Sequence, residues 1–187
     1  MDSTRTNVLG NQSQEMLSIA EQLDENDEQP WVLAAKAYIL TDVPGGREKA
    51  MSLFTRITES SSSMSDRYFA IHIPLLLGEK ALAMETAKRW LDDWQGGQHS
   101  EWDERALLKI IATNGVYRPE GSNRLTRVLT SHMLGLLAIA DGKREKARAH
   151  FDDSAEKPWV NIDFYWGAAF SRLLSRDPNW PSQNTAV

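Results

Sequence analysis

Residues 133–151, Met-Leu-Gly-Leu-Leu-Ala-Ile-Ala-Asp-Gly-Lys-Arg-Glu-Lys-Ala-Arg-Ala-His-Phe, leave the chain few ways to fold. Leu125, Val128, Leu129, Leu136 and Ile139 recur near helical spacing and form an apolar stripe. Ser122 stands ahead of that stripe as an N-cap. Asp141-Gly142 then supplies the left-handed residue that ends a helix. A second helix begins on charges and carries Ala147, Phe151 and Ser154 at i, i+4 and i+7. Pro158 stops it, because proline lacks the N–H that the next turn requires. Neither helix is apolar all round. Each must cover the other, and the pair still has one face to bury, so the hairpin requires stacked neighbours.

The rest of the chain offers candidates. Residues 1–11 are polar and expected to be flexible. A helix is predicted over 12–23, with Met16, Leu17, Ile19, Ala20 and Leu23 on one side. The acidic run 24–28 lacks the glycine and spacing of a calcium loop and reads as a solvated turn. Pro30 opens the next helix, which carries Trp31, Ala34, Ala35 and Tyr38. After Pro44-Gly45-Gly46 come Ala50, Phe54 and Ile57, again at i, i+4 and i+7, and then a serine loop over 60–63. Pro74 lies inside a helix predicted over 65–77 and should break it between Ile71 and Pro74. Gly78 precedes Ala83 and Ala87 by the steps that separate Gly142 from Ala147 and Phe151, and the helix over 79–94 completes a degenerate copy.

The phase slips at Gly96-Gly97. A helix over 101–113, with Trp102, Ala106, Leu107, Ile110 and Ile111 as its buried side, has no evident partner in the repeat order. Asn114-Gly115 closes it. A last helix from Pro158 is expected to cap the array, ending at Asp177-Pro178 before a loose tail.

At these residues the chain resembles a tetratricopeptide repeat. That pattern places a Leu-Gly pair in its first helix, a small residue and an aromatic four apart in its second, and a proline at the end. Leu134-Gly135, Ala147, Phe151 and Pro158 fill those places, although Ser131 replaces the expected large aromatic and Ala138 the tyrosine. Trp31, Ala34-Ala35, Tyr38, Ala50, Phe54 and Ile57 form a second copy, which keeps the aromatics. The C-terminal run resembles the end of the tetratricopeptide regions of large planctomycete-type bacterial serine/threonine kinases. It comprises Asp163-Phe164-Tyr165-Trp166, Ala168-Ala169-Phe170 and Arg176-Asp177-Pro178-Asn179-Trp180-Pro181. No Gly-rich loop, His-Arg-Asp or Asp-Phe-Gly accompanies it, so the resemblance implies a bacterial repeat module without kinase catalysis.

Composition narrows the class. The 187 residues hold no cysteine, so neither a disulfide nor a thiolate metal site is expected. No apolar run reaches the ~20 residues of a membrane span, and the polar N-terminus offers no signal peptide. A cytoplasmic location and no membrane partner are the resulting expectations. The net charge of −5 argues against nucleic-acid binding. Residues 118–148, however, carry seven Lys or Arg against three Asp or Glu, a net of +4 in an otherwise acidic chain. His72, His99, His132 and His150 form no zinc pattern, and neither Asp92-Asp93 nor Asp152-Asp153 is an acid/base dyad, because helix neighbours point ~100° apart. The seven tryptophans read as core, with Trp94, Trp102 and Trp180 expected to be exposed.

The expectation is an all-α, tetratricopeptide-like α-α superhelix of about nine helices, forming a single domain over 1–187. Within it, 12–97 forms an N-terminal subarray, 98–121 an irregular helix and loop, 122–176 a C-terminal repeat with its capping helix, and 177–187 the tail. The expected function is a non-enzymatic, cofactor-free protein- or peptide-binding scaffold or regulatory adaptor. The alternatives are a self-associating module, such as a homodimer, and, more remotely, a helical enzyme using groove histidines and carboxylates. The resemblance implies that the first helix of each hairpin lines the concave groove, which nominates Lys36, Tyr68, His72, His132 and Leu136. The family's clamp for C-terminal carboxylates would need Lys and Asn where Val32, Lys36, His132 and Leu136 stand, so that ligand is not expected. The basic stretch nominates Arg118, Arg124, Arg127, Lys143, Arg144, Lys146 and Arg148 as a docking patch for an acidic partner.

Overall fold

A computed structural model describes residues 44–60, 64–93, 104–119, 124–155 and 162–180. The helices expected over 12–23 and from Pro30, the acidic run and the Gly96-Gly97 break lie outside these residues. All regular structure among the described residues is α-helical. The chain divides into two compact units, Met1–Ile73 and Pro74–Val187.

In the first unit, α1 (Gly46–Ser60) follows the Pro44-Gly45 turn. Gly45 takes a φ of +73°, and its carbonyl accepts the Lys49 N–H that starts the helix. Ala50, Phe54 and Ile57, the predicted face, are buried together with Gly46, and α1 packs on α2 (Met64–Ala70). The helix breaks at Ile71, inside the expected span. Pro74 has no N–H to offer the Ala70 carbonyl four residues earlier, so the ladder cannot run straight through. The short α3 (His72–Leu76) crosses the boundary between the units.

The second unit holds α4 (Lys80–Asp92), α5 (Glu104–Ala112), α6 (Arg124–Ala140), α7 (Arg144–Ala155) and α8 (Ile162–Arg176). Each packs on the next, and α6 also reaches α8. Three of its helix ends use one device. Glu79 and Gly78 N–H groups donate to the Pro74 and Leu75 carbonyls, and Lys143 and Gly142 to Ala138 and Ile139. Gly115 and Asn114 repeat the pattern on Ile110 and Ile111, with Asn114 at φ 54°. These are Schellman ends, in which a left-handed residue lets two N–H groups reach back to orphan carbonyls. After Gly78 and Gly142 the chain re-enters a helix in the same register, since Ala83 and Ala147 bond back to Glu79 and Lys143.

An ion pair holds those two turns side by side. Lys80 Nζ lies 2.5 Å from Asp141 Oδ1, and Lys143 Nζ lies 2.8 Å from Asp141 Oδ2. The hydrogen bonds from Lys143 and then Lys80 hold the Asp141 carboxyl below its ordinary value, against a smaller opposing effect of burial. The lowered folded value means that the clasp contributes stability above the unfolded-state pKa of aspartate and loses it as pH falls through the folded one. The groups are solvent-exposed enough that the contribution is at most about 1 kcal/mol. Asp141→Asn should therefore lower the neutral-pH melting midpoint by no more than about 4 °C. That deficit should vanish in acid; an equal deficit at both pH values would rule out the carboxylate as its cause.

The unpartnered helix of the sequence reading, α5, packs on both α4 and α6. Ala106, Leu107, Leu108, Ile110, Ile111 and Ala112 are all buried. A helix covered on more than one side needs apolar residues beyond a single stripe. Leu108 and Ala112 are the residues that a single stripe misses.

Helix α7 meets both neighbours through one face, with residues one turn apart turned to each. Phe151 presses on Gly135 of α6, where an added Cβ would come within 2.6 Å of the ring. Ser154 presses on Gly167 of α8, where a Cβ would meet its Oγ at 2.3 Å. The adjacent carboxylates divide in the same way, Asp153 accepting from Ser131 of α6 and Asp152 from Ser171 of α8. Gly167→Ala should cost about 1–2 kcal/mol by overpacking. In a Ser154→Ala background the loss should largely disappear, as denaturant midpoints would show.

Residues 177–180 after α8 are held in place by hydrogen bonds and a ring contact, so this part of the expected tail is not loose; 181–187 lie outside the described residues. Asp177 turns the chain, its Oδ1 accepting the Asn179 N–H and its carbonyl accepting the Trp180 N–H. Trp180 folds back and stacks on Phe170, with centroids 5.6 Å apart and only 2% of the residue exposed. The expectation of an exposed Trp180 is thereby overturned. A stacking partner on the last two turns of the helix, Phe170, makes burial more favourable than solvent.

Candidate docking surface

Four of the five groove candidates are core residues. Tyr68, His72, His132 and Leu136 are buried, which corrects their assignment as groove contacts, and Lys36 lies outside the described residues. Tyr68 and His72 meet edge to face, with centroids 5.2 Å apart. His132 lies between Phe151 and Phe170, 5.5 Å and 5.9 Å away. Together with Trp180 these rings make an aromatic cluster drawn from α6, α7, α8 and the segment beyond. The resemblance put first-helix residues on a concave face, but α6 is covered by α5, α7 and α8, which leaves its middle little access to solvent.

The basic stretch does not form one patch. Arg144 is engaged: its guanidinium donates to the carbonyls of Leu174, Asp177 and Trp180, with the Leu174 contact at 3.0 Å and the Asp177 contact at 2.6 Å. It caps the end of α8, where a cation also complements the helix dipole, and so leaves the docking set. Lys143 is paired with Asp141, and Arg148 lies 3.7 Å from Asp152 one turn on. Arg124 begins α6, but its side chain lies outside the described set. Arg127 and Lys146 are exposed and have no ion-pair partner among the described residues.

Arg118 belongs to a held loop. Its Nη1 donates to the Gly115 and Tyr117 carbonyls, the latter at 3.0 Å. The Tyr117 N–H donates to Thr113 Oγ1 at 2.9 Å, and Lys109 Nζ lies over the Tyr117 ring at 5.4 Å. Gly115 abuts Leu134 and Leu137, which seats the loop on α6. Across the α6–α7 seam lies His150, half-buried. Burial first, then Lys146 and Arg118, lower its basicity, while Asp153 opposes them. Elsewhere, burial at the start of α5 raises the Glu104 carboxyl above its usual value.

Val116 is 81% exposed at the tip of this loop. Sequence reading missed both Val116 and His150, since neither belongs to a periodic pattern. The available signal was a valine beside Asn114-Gly115, in a loop whose turn chemistry is set. No group of side chains among the described residues is arranged to hold a metal ion, and no described helix is long and apolar enough to cross a membrane. No protein-family model, curated protein or solved structure matches the chain.

Proposed function

We propose that this chain is a tetratricopeptide-like helical-repeat module, continuing as a superhelix, that binds a protein or peptide segment as a scaffold or adaptor and performs no catalysis. The observation that supports this reading most is the side-by-side placement of the Gly78 and Gly142 turns by Lys80 and Asp141. Two helix-turn-helix corners of one register, laterally paired, are what stacked repeats require. The use of His132 and of Asp152 and Asp153 within helix packing also favours a binding role over acid/base work. Selection of a random peptide library on the immobilised chain tests the proposal. A binding module enriches a recurring motif whose synthetic peptide binds in solution. Failure of any motif to enrich across repeated selections would count against it.

A further inference from the structure

We infer that residues 113–118, which follow α5, and the adjoining seam of α6 and α7 form a docking site for an acidic peptide segment that carries an aliphatic residue beside its carboxylates. The site would be made by Val116, Arg118, Lys146 and His150. The inference rests on the reading of the chain as a binding module and names its ligand class and its face. Three observations carry it. First, residues 113–118 are held before any partner arrives: the Asn114-Gly115 turn, the Thr113 Oγ1 contact and the Arg118 bonds to the Gly115 and Tyr117 carbonyls hold them, and Gly115 is seated on Leu134 and Leu137. A preformed loop loses little entropy on binding.

Second, the charges are one-sided among the described residues. Arg118 uses one guanidinium nitrogen on carbonyls, and no described contact occupies Nε or Nη2. Lys146 has no ion-pair partner among the described residues. The nearby carboxylate, Asp153, already accepts from Ser131. Lys146 and Asp153 stand one turn to either side of His150 on α7, and the Ser131–Asp153 and Gly135–Phe151 contacts set that stretch of α7 beside Leu134 of α6, on which Gly115 of the Arg118 loop is seated; among these described groups two cations stand against one carboxylate. A ligand carboxylate completes that balance. Third, Val116 is exposed two residues from Arg118 on this held stretch, which gives an apolar contact next to the charged one. The remaining candidates of the stretch face other duties, with Arg148 on Asp152, Lys143 on Asp141 and Arg144 on α8.

The test uses the full chain and a labelled peptide rich in Glu and Leu, with a Lys-for-Glu version as control. Binding should raise the pH at which the His150 ring resonances titrate. It should also weaken severalfold between about 0.05 M and about 0.3 M salt, as screening shortens the reach of exposed charges. Arg118→Ala and Lys146→Ala should each lower affinity about threefold and together about tenfold. Val116→Ser should lower it about threefold. Arg148→Ala, on the α8 side of α7, should leave affinity unchanged. All four side chains are exposed, and unchanged melting midpoints would confirm that the variants fold. Absence of binding, or binding that survives the Arg118 and Lys146 substitutions with His150 unmoved, overturns the inference. If the library enriches a motif without acids, the site falls and the binding-module reading stands; if nothing enriches, both fall.

Discussion

Phe151→Ala is expected to destabilise the second unit by about 3–5 kcal/mol, the range for a fully buried phenylalanine truncated to a methyl group. The ring is 0% exposed and is shared by three elements. It packs on Gly135 of α6, lies 5.5 Å from His132 and lies 5.3 Å from Phe170 of α8. The sharper form of the prediction concerns Gly135. Alanine is ordinarily the better helix residue by about 1 kcal/mol. Here its Cβ would stand 2.6–2.8 Å from three ring atoms, so the substitution should cost about 1–3 kcal/mol. In a Phe151→Ala background the obstruction is gone, and Gly135→Ala should become neutral or stabilising by up to about 1 kcal/mol. Urea titrations of the four proteins close the cycle. A Gly135→Ala effect of the same sign in both backgrounds would show that the close approach of α6 and α7 is not what requires glycine.

That pair was legible in the sequence because one helix supplied the absence of a side chain and the other the ring to fill it. The i, i+4, i+7 face of Ala147, Phe151 and Ser154 is buried as spaced, and Ala50, Phe54 and Ile57 behave likewise. Gly45, Gly78 and Gly142 all adopt positive φ at the predicted turns. These features depend on local chemistry, which a single sequence carries. The placement of the candidate site residues depends on which helix covers which, and there the reading failed. His132 and Leu136 lie on a helix with three neighbours, so a position that faces a groove in a simple array faces the core here. Counting net charge over 118–148 likewise ignored direction. Lys146 and Arg148 differ by two residues, about 200° around a helix, and so cannot share a face.

The ion pair between the turns has a signal in the sequence. Lys80 follows Gly78 by two residues and Asp141 precedes Gly142 by one, so opposite charges flank equivalent glycines. Aligned on those glycines, the two copies show lateral pairing as charge complementarity. By contrast, nothing in the local pattern announced that α5 would be covered by both α4 and α6. Its extra apolar residues, Leu108 and Ala112, were the available clue, because a helix with solvent on one whole side has no use for them.

Trp180→Ala should cost about 3–5 kcal/mol, comparable to removing Phe151, although the residue lies beyond the last helix and a tail position would ordinarily be tolerant. The reason is the closure it makes. Its ring stacks at 24° on Phe170, which in turn stacks on His132, so one segment seals the end of the aromatic cluster. Arg144 holds that closure from the start of α7 by donating to the carbonyls of Leu174, Asp177 and Trp180. Charge-assisted bonds to carbonyls at a helix end are stronger than neutral ones, so Arg144→Ala should cost about 2 kcal/mol. Arg144→Lys should recover less than half of this, since a single ammonium cannot present a planar fork to carbonyls on different sides. Because the guanidinium and the indole act on one segment, the double variant should lose less than the sum of the single losses, with a coupling of about 1–2 kcal/mol. Hydrogen exchange gives the spatial check: Arg144→Ala should raise exchange at the Asp177 and Trp180 amides, which bond to the Leu173 and Asp177 carbonyls, and leave the Ala83 amide of α4 unchanged. Strict additivity of the two substitutions, or acceleration spread evenly over the unit, would mean that Arg144 does not act as the latch of this segment.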